Sequence, residues 1–131
     1  MDRSTSKDKA INFARTRLRN HQANLAAYRL YREELPKAVD QYLNKKYAPL
    51  KKALADYGNI GEIHSAYGYG YIGEKKYQSI MYLYEQYEND ATRRLLVVTL
   101  EQIDRTIEEL SACVDTARRD LNALITNGGD D

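Results

Sequence analysis

Two histidines, His21 and His64, and one cysteine, Cys113, are the side chains of this 131-residue chain most suited to acid–base, nucleophilic or metal chemistry. They lie far apart in sequence, and no HExxH, CxxC or i, i+4 histidine pair connects them. His21 falls on a largely apolar stripe, where a packed, hydrogen-bonded imidazole is the ordinary outcome. His64 stands near Glu62 and Tyr67 in a glycine- and tyrosine-rich stretch. Loops carry function, but nothing in the spacing sets a nucleophile against a base. Cys113 has no second cysteine to pair with and reads as a small, semi-buried side chain. Neither GxxxxGK[ST] nor GxGxxG occurs, so no phosphate cradle is encoded. The expectation is a protein without catalytic residues, metal or cofactor.

Binding chemistry is better represented. The net charge of +1 conceals an uneven layout: residues 1–52 hold 13 Lys/Arg against 5 Asp/Glu, whereas residues 53–131 hold 7 against 14. Arg15, Arg17, Arg19 and Arg29, with Lys45, Lys46, Lys51 and Lys52, could neutralise phosphates, and tyrosines could stack on bases. The same cations could instead face the acidic flank Glu101, Asp104, Glu108 and Asp115 across a helix pair. The twelve tyrosines offer a second kind of surface. Tyr77, Tyr84 and Tyr87 fall on a helical period and read as core. Tyr67, Tyr69 and Tyr71 have no such period, so with His64 they are the candidate partner-binding residues.

The elements that would position these groups are helical. A first helix is expected over about 5–35, capped among Ser4, Thr5 and Ser6, with Ile11, Ala14, Leu18, His21, Leu25, Tyr28, Arg32 and Leu35 on one face. Pro36 should end it or open the next. Residues 37–57 read as a kinked helical segment with Val39, Leu43, Tyr47, Leu50, Leu54 and Tyr57 on one side, disturbed at Pro49. Residues 58–73 contain five of the seven glycines and read as an aromatic loop, with a short hairpin as the alternative. Helix resumes over 74–89. Asn89 or Asp90 should cap a further long helix over 90–126, although an unbroken helix through this point is the rival view.

That last helix carries the strictest pattern in the chain. Leu96, Leu100, Ile103, Ile107, Leu110, Val114, Ala117, Leu121 and Leu124 alternate spacings of four and three, which is a heptad seam for helix packing or oligomer assembly. Leu95-Leu96-Val97-Val98 is apolar all round and should be enclosed by other helices or a second subunit. Asn127-Gly128-Gly129 should stop the helix. No apolar run approaches the length of a membrane span, and the first ten residues have no apolar signal region, so a cytoplasmic location is expected.

The stretch NDATRRLLVVTLEQIDRTIEEL (89–110) resembles the middle helix of ArpU/RinA-type phage transcriptional regulators, and the basic helix over 7–32 resembles their N-terminal segment. The resemblance covers about a third of the chain. Those regulators continue into a helix-turn-helix, whereas here only a short tail follows Leu124, so no functional residue carries over.

The expectation is therefore a single all-α domain. It would be an elongated helical bundle with long N- and C-terminal helices, coiled-coil-like packing and short kinked helices between them. The functional expectation is a protein-interaction module, encoded by a phage or mobile element, that inhibits or modulates a host nucleoprotein in the host cytoplasm. A nucleic-acid-binding accessory protein or transcription regulator and a structural coiled-coil phage assembly protein are the alternatives. A homodimer through the C-terminal seam is part of the expectation.

Overall fold

The computed structural model describes residues 3–128. Among them are five α-helices and no strand: α1 (Arg3–Lys46), α2 (Ala48–Tyr57), α3 (Ile60–Gly68), α4 (Glu74–Glu88) and α5 (Ala91–Gly128). The all-α expectation is met. The sequence reads as one domain, whereas the contacts group into two compact units. One is built from residues up to Glu33 and from Thr99 onward, the other from Glu34–Val98. The first helix already runs from Arg3, so Ser4, Thr5 and Ser6 lie inside it rather than capping its start, and α5 runs through Asn127 and Gly128; Gly129, the last residue of the expected stop, lies outside the described residues.

The first unit pairs the N-terminal part of α1 with the C-terminal part of α5. Arg17 pairs with Asp120 at 3.9 Å and Arg32 with Asp104 at 2.8 Å, so rising numbers on one helix meet falling numbers on the other, and the pair is antiparallel. Ala14 and Leu25 of α1 and Ile103, Val114 and Ala117 of α5 are buried. Leu100, Ile107, Leu110 and Leu121 are half-buried and Leu124 is exposed. The heptad seam is thus covered largely from within the chain. The Arg17–Asp120 and Arg32–Asp104 pairs are exposed and add little stability, but they favour the antiparallel register.

The second unit has a core of Leu43, Tyr47, Leu50, Ala53, Ile63, Ile72 and Ile80, in which Leu50 and Ile63 are fully buried. Val39, Leu54, Tyr57, Tyr77, Tyr84 and Tyr87 pack around it. This core explains a departure from the sequence reading: α1 does not end at Pro36 but carries it inside the helix. The proline φ is helical, and its missing N–H removes one hydrogen bond, at a cost of about 3 kcal/mol. Val39 and Leu43, the apolar residues beyond it, pack in the core on continued helix and offset that cost, and Tyr47 just past the helix end joins them there. The real interruption is Tyr47, after which Pro49 sits in the first turn of α2, where its absent N–H is no loss.

A second departure is α3, which occupies most of the expected loop. Asn59 is extended and its side chain accepts the Glu62 N–H at 2.8 Å, so an N-cap starts a helix despite the glycines.

The opening of α5 is held by a charged cluster. Asp90, 6% exposed, accepts the Thr92 N–H at 2.9 Å as the N-cap of α5. Its other oxygen accepts the Tyr47 hydroxyl at 2.6 Å and the Lys46 ammonium at 3.0 Å. The Tyr47 and Lys46 bonds, followed by the Thr92 N–H, hold the Asp90 carboxyl far below the usual range against the opposing effect of burial. Lys46 and Tyr47 are both pushed up, each chiefly by its bond to Asp90.

Leu95, Val97 and Val98 are 64%, 57% and 51% exposed, so the chain's own helices do not enclose the apolar run. Only the Leu96 side of this turn is half-buried, because a helix covered on one side leaves its other faces open.

Candidate partner-binding corner

The tyrosine stretch ends α3 in a defined turn. Gly70, with φ of 81°, occupies the left-handed position after the C-cap Tyr69. Its N–H donates to the Tyr67 carbonyl at 3.0 Å, and the Tyr71 N–H donates to the Ala66 carbonyl at 2.8 Å. This pair of bonds is the Schellman arrangement, which satisfies the last carbonyls of a helix and needs a residue at ease with positive φ. Ile72, next along, is 3% exposed and anchors the turn in the core. Gly73 then leads into α4.

That geometry fixes where the aromatic rings go. Tyr69 and Tyr71 are 79% and 81% exposed, with ring centroids 6.3 Å apart. Tyr67 lies flat on Tyr77, centroids 4.0 Å apart and planes within 6°. The His64 Nδ1 and the Tyr77 hydroxyl are hydrogen-bonded, and their rings meet edge to face. The structure therefore brings His64 and Tyr67 together through Tyr77, a residue the sequence reading assigned to the core alone. Tyr69 and Tyr71 form the outer tip of the same corner. His64 meets a hydroxyl here, and among the described residues no group of three or more His, Cys, Asp or Glu is placed to hold a metal ion.

The basic residues are distributed differently. Lys46 is committed to Asp90, and Lys51 donates to the Tyr87 hydroxyl at 3.1 Å while lying over its ring. Arg17 faces Asp120. Arg15, Arg19, Arg29, Lys45 and Lys52 are exposed. Cys113 is exposed rather than semi-buried, and His21 is half-buried on the inner face of α1.

Two signals that the loop reading did not use could have located the corner: Asn59-x-x-Glu62, a helix-start pattern, and Gly70, a residue suited to the left-handed turn past a helix end. Ile63 and Ile72 are core residues that the loop reading passed over. No helix among the described residues is long and apolar enough to cross a membrane. Comparison with protein-family models, curated proteins and solved structures finds no match to this chain.

Proposed function

We propose that the protein is a non-enzymatic interaction module whose contact surface is the tyrosine corner formed by His64, Tyr67, Tyr69 and Tyr71. The observation that carries this reading is the exposure of Tyr69 and Tyr71 on a turn whose backbone is hydrogen-bonded and whose neighbour Ile72 is buried. Large apolar rings held in water cost solvation. Holding them on an ordered turn lowers the entropy lost when a partner covers them. Tyrosine supplies both contact area and a hydroxyl, which is why it recurs at binding hot spots. A photo-crosslinking amino acid at position 71 of the full chain tests the surface. The expected result is covalent capture of one dominant partner, absent when the probe replaces Arg119 on α5. Equal capture from both positions contradicts the reading.

Nucleic-acid binding is the second reading, supported by the exposure of Arg15, Arg19 and Arg29 on α1. It is the weaker one, because Arg17, Lys46 and Lys51 have partners inside the chain. DNA or RNA binding that falls steeply with salt supports it, and no binding at low salt ends it.

A further inference from the structure

We infer that the groove between α2 and α4 is a docking site for an acidic amphipathic helix of a partner protein. The groove is open, with a volume of about 320 Å³, and its floor includes Ala53, Ile80 and Leu83. Lys52 lines it from α2 and Lys76 from α4. A neighbouring depression shares Ser79 and Leu83 and is lined by Lys75 and by Tyr82, which is 63% exposed. Among the described residues, Lys52, Lys75 and Lys76 take part in no ion pair. Asp56 is the carboxylate lining the groove.

An apolar floor between two helices receives a third helix by ridge-into-groove packing, with anchors spaced i, i+3 or i+4, and i+7. Lys52 and Lys76, one on each wall, have no carboxylate partner among the described residues, although Lys76 lies over the Tyr57 ring at 5.8 Å; they outnumber Asp56, select carboxylates on the flanks of that helix and oppose a basic one. These residues are distinct from the tyrosine corner, and the inference does not rest on the reading of that corner.

A helical peptide library selected against the full chain tests the assignment. The expected peptides carry apolar residues at helical spacing flanked by Asp and Glu. A synthetic copy should bind the native chain more weakly as salt rises. It should also lose about tenfold or more in affinity for K52E/K76E, a smaller factor for K52A/K76A, and nothing for Y69A/Y71A. Circular dichroism of each variant checks folding. Peptides without acidic bias, equal binding to K52E/K76E, or no selected peptide would overturn the assignment. Loss on Y69A/Y71A alone would also overturn the groove while leaving the corner intact. Self-association of the chain that K52E/K76E abolishes would show a second copy as occupant and overturn it too.

Discussion

The Tyr47 hydroxyl donates a 2.6 Å hydrogen bond to the Asp90 carboxylate, joining the residue that interrupts the first long helix to the residue that caps the last. Asp90 is 6% exposed, and removing a partner would leave a buried charge undersatisfied. Tyr47→Phe should therefore lower the denaturant midpoint. Asp90→Ala should lower it further, because the cap contribution of about 0.5–2 kcal/mol is lost as well. Urea titrations followed by circular dichroism measure both.

The same contact sets an acid dependence. The folded carboxyl of Asp90 is held below its unfolded value of about 3.9, so its stabilisation is full above that pH and is lost as pH falls through the folded value. Thermal melts should drop progressively below about pH 4, and Asp90→Asn should flatten that slope while lowering stability at neutral pH. Lys46 and Tyr47, both raised, hold their share below about pH 10 and lose it on further alkalinisation. An unchanged acid slope in Asp90→Asn would separate the cluster from acid unfolding.

Pro36 lies inside α1, and its replacement is expected to stabilise. Restoring the N–H gains about 3 kcal/mol of helix propensity, less about 1 kcal/mol for a freer unfolded chain. Pro36→Ala should thus gain about 2 kcal/mol, read from the shift in urea midpoint. A loss of stability would mean that the helix needs the proline's geometry at this point.

Ile63, fully buried, sits in the stretch that glycine content marked as a loop. Ile63→Ala should cost about 2–5 kcal/mol, the range for a well-packed core. Asn59→Ala, which removes the cap of α3, should cost about 0.5–2 kcal/mol. It should also speed hydrogen exchange locally at the start of that helix. A cost for Ile63→Ala below about 1 kcal/mol, as on a surface, would contradict the core.

What the sequence revealed depended on how strictly each helix obeys its period. The seam from Leu96 to Leu121 has no polar interruption, and α5 lies within two residues of where the pattern put it. The start of α4 was equally legible, and the possible cap at Asp90 was visible as a residue type. Pro36 and the glycines of α3 misled, because local propensity there opposes the packing of Val39, Leu43 and Ile63, and packing prevailed. The tyrosine corner was legible as composition, not as shape. No period links Tyr67 to Tyr77, yet the turn at Gly70 stacks the two rings. Exposure of Leu95, Val97 and Val98 was hidden as well, since an apolar run states what it would bury and not whether a neighbour is there.

The central claim is that Tyr69 and Tyr71 make the principal contact. The most direct test is the dissociation constant of the partner captured at position 71, measured against the native chain and against Y69A/Y71A with helical content confirmed. The account predicts a rise of about thirtyfold or more, corresponding to about 2 kcal/mol or more for a hot-spot pair. An unchanged constant with an intact fold would contradict it.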